Sequence, residues 1–490
     1  MTLRRLRPVL RPGTAVAALV AAGVLATSTL VATSTAAGDE PAPHGAAGIG
    51  DAYFPLDGNG GIDVRSYDVH DRYRFGERRL SGWTVVRLTA TQDLSGFDLD
   101  FLLPVSSVEV DGRRARFDQD RYHELSVDTR LDAGQTARVL VRYSGLPERY
   151  SYTGESNWLA SRHEVVAMNQ PHMAPWWFPA NDHPLDKADI TVSITVPRSD
   201  RVISNGREVR RVVDGRLATT TWHADEPMVP YLAFFAAGQY AVARGRSDGT
   251  PWLVAVSKAL PTASQPEAMR LMKRTPELLQ WLESVIGPYP FSVTGGLTTS
   301  LQPGFALENQ TRPTYPFMGE GRGAVDTVVH ELAHQWFGDS VAVEKWTDIW
   351  LNEGFASFFE AYYDETHGGQ SGDAWLRDHY ARIGADDDFW HHEVADPCPS
   401  HEGCVSDIFA SWVYERGAMA LQALRNVVDD DPVFFELVSR WAADRAGGNG
   451  STAQFQALAE EVTGLDLDGF FDAWVHSTTK PADTAANGLG

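Results

Sequence analysis

The chain has 490 residues, 43% apolar and 11% aromatic, enough to build more than one hydrophobic core and too many for a disordered or fibrous chain. Asp and Glu number 65 against 42 Lys and Arg, a formal charge of −23. That balance argues against nucleic acid and anionic membrane surfaces as partners.

The first 37 residues hold Arg4, Arg5, Arg7 and Arg11 and no acid, then run from Thr14 to Thr33 through apolar, small and hydroxyl side chains only. A basic start, an apolar stretch and small residues at Ala36 and Ala37 predict a secretory signal peptide over 1–37 and a secreted, extracellular product. A retained membrane anchor is the alternative, but the stretch is Ala- and Thr-rich and poor in large apolar side chains, so no stable membrane association is expected. Gly38, Asp39 and Glu40 follow where a lipid-anchored chain would carry a Cys. Residues 38–48 are small and polar and read as a flexible linker.

Residues 49–243 read as an N-terminal β domain. Ile190, Val192, Ile194 and Val196 alternate with Asp189, Thr191, Ser193 and Thr195, the period of a strand with one buried face. Trp83 to Leu88, Val108 to Val110 and Arg138 to Tyr143 are similar runs, while Asp111-Gly112, Asn205-Gly206 and Asp214-Gly215 supply hairpin turn residues. Residues 244–481 read as a second domain, helical in texture from about residue 262: Pro266 to Ile286, Ala324 to Phe337, Leu351 to Tyr363, Ser411 to Val428 and Thr452 to Val462 are rich in helix formers. Gly287 and Gly338 stand where helix C-caps are wanted. The solvated acidic run Asp386-Asp387-Asp388 lacks the ligand spacing of a calcium loop, and residues 482–490 read as a disordered tail. The two cysteines, Cys398 and Cys404, predict a disulfide in an oxidising compartment; a metal site shared with His391, His392 and His401 is the other reading.

The chemistry concentrates at His330-Glu331-Leu332-Ala333-His334. Within a helix the two imidazoles, four residues apart, share one face and can bind one ion. Glu353, 19 residues after His334 in Asn352-Glu353-Gly354-Phe355-Ala356, begins the next helix and supplies a third ligand. Two His and one Glu leave a fourth zinc position open for water, and Glu331 stands ready to take that water's proton. Ligand type favours zinc, one per chain, over cobalt or manganese. Structural zinc sites usually fill all four positions, which argues against a metal-stabilised binding module. Glu360, seven residues after Glu353, would face the same way and orient an imidazole, unless it is merely solvated.

These segments resemble the zinc aminopeptidases related to aminopeptidase N and leukotriene hydrolase, and the resemblance spans nearly the whole chain after the leader. It implies a multi-domain α+β fold, with an N-terminal β-sandwich or saddle-like domain before a thermolysin-like, mainly helical zinc-peptidase domain. In Phe305-Ala306-Leu307-Glu308-Asn309 it implies substrate-binding positions at Ala306, Glu308 and Asn309, with Glu308 gripping the free amine of a peptide. Phe305 stands where the family has a small residue, which implies a different wall for the first side-chain pocket. In Val413-Tyr414-Glu415-Arg416-Gly417 it implies that Tyr414 donates to the oxyanion, and in the segment from Gln170 to Pro179 that Gln170 helps hold the amine. His172, Trp176 and Trp177 read as core residues.

Aminopeptidase action on peptides with a free N-terminus is the expected function, and a thermolysin-type endopeptidase is its nearest rival. Hydrolysis of a lipid epoxide is a further one. After Trp474 only sixteen residues remain, too few for the helical domain that closes over the cleft in larger relatives, so a two-domain form with a more open cleft is expected. The sequence does not specify the oligomeric state.

Overall fold

The computed structural model describes residues 42–120 and 122–490; the expected leader and the first residues of the expected linker lie outside them. The alternation around Ile190 does form a strand, Asp189–Pro197, with Ile190, Val192, Ile194 and Val196 all buried. It pairs in parallel with Ile62–Arg74 near the middle of an eight-stranded sheet. Arg79–Ala90, Thr136–Gly145 and Val105–Val110 continue that sheet on one side, while Leu217–His223 and Arg207–Asp214 continue it on the other. A three-stranded sheet, Leu94–Asp100, Glu124–Leu131 and Arg116–Gln119, and a four-stranded one centred on Phe235–Gly238 and Glu164–Ala167 complete the β-rich half.

Asp111-Gly112 and Asp214-Gly215 turn hairpins as expected, with Gly112 and Gly215 at φ of 76° and 56°. Asn205-Gly206 does not. It carries the chain from Arg201–Ser204, in the four-stranded sheet, into Arg207–Asp214 in the eight-stranded one. The Asn205 amide holds this crossing by donating to Leu232 O and Gln310 O, at 3.0 and 2.9 Å.

Three boundaries differ from expectation. Residues 42–48 are not a loose linker: Ser95 N–H donates to Pro43 O at 2.8 Å, Gly45 N–H to Gly96 O at 2.9 Å and Gly60 N–H to Ala46 O at 2.8 Å. The division between 243 and 244 cuts the hairpin Tyr240–Ser247/Thr250–Ser257, whose second strand pairs in parallel with Thr294–Thr298. That four-stranded sheet belongs with the helices, so the second half begins at Tyr240. The tail 482–490 is packed as well: Leu489 is buried, Trp474 Nε1 donates to Asn487 O at 3.1 Å, and Arg377 Nη1 to Leu489 O at 2.7 Å. Short residues without periodicity hid all of this packing.

The helices are α1 (Gln265–Met272), α2 (Thr275–Ile286), α3 (Arg322–Ala333), α4 (Trp350–Thr366), α5 (Gly372–Arg382), α6 (Cys404–Asp407), α7 (Gly417–Val428), α8 (Asp431–Asp444), α9 (Thr452–Thr463) and α10 (Asp468–Trp474). Pro266 to Ile286 is two helices because Pro276 enters the first turn of α2, where a missing N–H costs nothing. Gly287 and Gly338 take φ of 121° and 130° past α2 and α3, as helix ends favour. None of the described helices is long and apolar enough to cross a membrane.

Two basic side chains, Lys187 half-buried and Arg312 buried, bind the halves together. Lys187 Nζ, from the β-rich half, donates to Asp339 O, Ser340 O and Gly448 O at 2.9, 2.7 and 2.8 Å. Arg312 reaches back to Ser204 O and Gly206 O at 3.0 and 2.7 Å. Cys398 and Cys404 are joined as a disulfide, and Cys398 N–H donates to Tyr53 Oη at 3.2 Å, fixing the loop to the start of the chain. Asp386, Asp387 and Asp388 are exposed.

Candidate active site

α3 runs up to Ala333, and His334 follows as its last helical residue with φ −56° and ψ −25°, so His330 and His334 project from one face. α4 packs against the turn that follows α3 through the stacked rings of Phe337 and Phe355, 4.2 Å between centroids and 7° apart. That contact brings Glu353, in the first turn of α4, against both imidazoles: its Oε2 lies 3.4 Å from His330 Nε2 and 3.2 Å from His334 Nε2. The other ring nitrogens are occupied. His330 Nδ1 donates to Glu360 Oε1 at 2.5 Å and His334 Nδ1 to Phe337 O at 3.0 Å.

With both Nδ1 atoms donating, loss of the Nε2 protons would leave both Nε2 atoms presenting lone pairs toward one point. One donor atom from each of His330, His334 and Glu353 lies within 4.8 Å of the others. This donor set suits zinc, and all three residues are at most 8% exposed. Glu360 is therefore not merely a solvated helical Glu, because it holds the His330 ring through Nδ1.

Around this centre negative charge predominates. Glu308, Glu331 and His334 also converge, with one ligand-type atom of each within 4.8 Å of the others. Burial pushes the Glu331 carboxyl up to about 8 and raises Glu308 as well. At Glu353 burial pushes the same way, but the two imidazoles outweigh it and hold the carboxyl down at about 2. Carboxylates crowding two imidazoles in a buried cleft make a cation-seeking site.

The cleft measures about 270 Å³, and Gln170, Ala306, Glu308, Glu331 and Tyr414 all line it beside the presumptive ligands. Phe305, 40% exposed, stands at its edge. Gln170 reaches Glu308 through a residue that sequence reasoning missed: its Nε2 donates to Tyr231 Oη at 3.1 Å, and that hydroxyl donates to Glu308 Oε1 at 2.9 Å. Gln335, also missed, donates to Glu308 O at 2.9 Å and accepts from Thr311 N–H at 2.7 Å. Its position directly after the second histidine was the available signal. Asn309 is the correction. It is fully buried, its amide donates to Leu232 O at 3.1 Å, and its side chain does not line the cleft.

Tyr414 sits in a wide π-type turn, Trp412–Arg416, that leads into α7. Its ring stacks over His330 at 5.9 Å and 13°. Burial, then the charges of Glu353, Glu308 and Glu331, hold the phenol protonated far above its ordinary range, so it remains a donor. α4 and α7 touch through Gly354 and Gly417: a Cβ on Gly417 would stand 2.9 Å from Gly354 Cα, and one on Gly354 would stand 3.0 Å from Gly417 Cα. A second cleft of about 560 Å³, lined by Trp375, His379, Phe409 and Glu415, shares Glu360 and Tyr414 with the first. His172, Trp176 and Trp177 are buried, as expected.

Residues 98–232 match the peptidase M1 N-terminal domain and residues 310–474 the peptidase family M1 domain. Glutamyl aminopeptidase of Bos taurus is 29% identical over 343 residues, covering 64% of this chain and 34% of its own length. A tricorn protease-interacting factor of Thermoplasma acidophilum is 25% identical, covering 85% of this chain and 54% of its own. The chain thus spans about a third of the length of the curated glutamyl aminopeptidases it matches. Among solved structures, an M1 zinc metallopeptidase mutant of Deinococcus radiodurans bound to a Tyr-Ser-Ala substrate superposes with a TM-score of 0.79 at 29% identity, covering 89% of this chain and 99% of that one.

Proposed function

Because the chain belongs to peptidase family M1, we propose that it is a zinc-dependent aminopeptidase that removes the first residue from peptides with a free N-terminus. The observation that carries this reading is Glu308, whose carboxyl is buried in the same cleft as His330, His334 and Glu353. A substrate α-amine is mostly cationic at neutral pH. Bound at Glu308, it sets the scissile bond one residue in from the terminus, opposite the three ligands. The Tyr-Ser-Ala peptide bound to the related Deinococcus enzyme supports a substrate of this kind.

When bound at His330, His334 and Glu353, zinc supplies a Lewis acid for the scissile carbonyl and for the attacking water. Glu331 takes the proton from that water as its oxygen attacks the carbonyl carbon, and returns it to the departing amine as the C–N bond breaks. Tyr414 donates its phenolic hydrogen to the oxygen that gains charge during the attack. Gln170 and Tyr231 orient the Glu308 carboxylate for the amine. The second cleft, beyond Tyr414, receives the rest of the peptide.

The test compares a free-amine leucyl or alanyl chromogenic amide with its N-acetylated twin, with and without a chelator. Turnover of the free-amine substrate alone, stopped by chelation, is the expected result. Comparable cleavage of the blocked substrate would replace this reading with an endopeptidase. Export is part of the proposal: the basic and apolar leader and the Cys398–Cys404 disulfide support it. Activity in the culture medium, on a chain whose N-terminal sequence starts after Ala36 or Ala37, is expected; an intracellular, full-length product would reject it.

A further inference from the structure

The β-rich half encloses a second set of ligand-type side chains, independent of the aminopeptidase reading. Asp100 ends the strand Leu94–Asp100 and lies directly opposite Glu124, the first residue of the antiparallel strand Glu124–Leu131. Like charges facing each other across two strands repel. His123 adjoins them, and the three residues are only 0%, 7% and 1% exposed for Asp100, Glu124 and His123. One donor atom from each lies within 4.8 Å of the others, and His123 Nε2 stands 3.2 Å from Asp100 Oδ1 and 3.8 Å from Asp57 Oδ1.

Among the described residues, Asp100 Oδ1, both ring nitrogens of His123 and both carboxylate oxygens of Glu124 are buried without a hydrogen-bond partner, while Asp100 Oδ2 accepts from Asp182 N–H at 2.6 Å. The adjoining acids are treated differently. His172 bridges Asp57 and Glu155 with contacts of 2.5 Å on either side, and Tyr152 Oη donates to Asp57 Oδ1 at 2.8 Å. The fold therefore satisfies its buried carboxylates with donors in one place and leaves a converging set bare beside it. Buried anions left without donors are strongly disfavoured, whereas a cation among them satisfies several atoms at once.

We propose that Asp100, His123 and Glu124 bind a second divalent metal ion. One imidazole nitrogen with carboxylate oxygens is a mixed donor set that suits zinc or manganese better than the all-oxygen sites of calcium. Such an ion clamps the end of one strand to the start of its partner. It also stands next to the Asp57–His172 pair that underlies the segment carrying Gln170.

The test uses the full chain with His330→Ala and His334→Ala, which removes two ligands of the cleft site. Titration with zinc and with manganese, and elemental analysis after dialysis, should find about one metal per chain in this variant and about two in the unsubstituted protein. Adding Glu124→Gln, which keeps the shape of the side chain, or His123→Ala should remove the remaining one. The metal-dependent rise in the thermal midpoint of the His330→Ala/His334→Ala protein should vanish with it. If that protein, folded by circular dichroism, binds neither metal, the site does not exist. If it binds one and Glu124→Gln and His123→Ala leave the affinity unchanged, the ion lies elsewhere and the assignment fails.

Discussion

Replacing Glu308 by alanine separates an exopeptidase from an endopeptidase on the same metal centre. The Glu308 carboxyl is 2% exposed and accepts a hydrogen bond from Tyr231 Oη at 2.9 Å, and burial raises its pKa. A substrate ammonium would therefore find a carboxylate already removed from water, and truncating one partner of a buried, hydrogen-bonded ion pair costs roughly 3–5 kcal/mol. At about 1.4 kcal/mol per factor of ten, kcat/KM for a free-amine leucyl amide should fall roughly 10²- to 10⁴-fold. Glu308→Gln, which keeps an acceptor for the amine and for Tyr231, should lose less. The assay is steady-state hydrolysis of the free-amine amide alongside its N-acetyl twin, with zinc content measured on each variant. A loss below about tenfold in Glu308→Ala with zinc retained, or an equal loss on the blocked substrate, would show that this carboxylate does not hold the amine.

Glu331→Gln should lower kcat about 10²- to 10⁴-fold or more while elemental analysis finds the zinc content unchanged; loss of the metal would make Glu331 a ligand instead of a base. Tyr414→Phe should lower kcat about 10²- to 10³-fold with little change in KM, which steady-state kinetics reads directly. Glu360→Ala removes the acceptor that fixes His330 Nδ1 and should weaken zinc binding about 10- to 100-fold in competition with a chelator. Asp186 gives a prediction in pH. Burial pushes its carboxyl up to about 7 against the donors Asn181 and Val64 N–H. The folded chain then holds this proton more tightly than the unfolded one, so the stability it contributes is complete below the ordinary value of 3.8 and is lost as pH rises through about 7. Asp186→Asn should flatten the fall in unfolding free energy between pH 5 and 8 by about 2 kcal/mol, measured with urea; an unchanged slope would place the burden on another group.

The metal centre was legible because it is local: helical periodicity puts His330 and His334 on one face whatever surrounds them, and Glu353 opens the next helix. Glu308, Tyr414 and Gln170 could be named from resemblance to known segments, but nothing in their own spacing predicts that they line one cleft. Asn309 shows the limit of that route, since its neighbour Glu308 faces the cleft while its own amide turns to Leu232 O. Tyr231 and Lys187 were invisible for a different reason. Each acts on a group more than 70 residues away in sequence, and a lone Tyr or Lys between strands carries no pattern. The strands followed their alternation, whereas Asn205-Gly206 turned out to link two sheets, because turn chemistry specifies a reversal or a kink without saying which strand comes next.

The contact between Gly354 and Gly417 divides the labour of the cleft. Glu353 and Tyr414 sit on different helices, yet main chain rests on main chain between them, so their separation is indexed by the backbone and not by side chains that could repack. A methyl group at either glycine would wedge the metal ligand and the phenol apart together. The opposite rim has no such bearing: Phe305 stands exposed after Gly304, at a φ of 95° with open space around it. On the aminopeptidase reading, bond breaking and the choice of first residue would fall to different parts of the cleft, one braced by main chain and the other open to substitution.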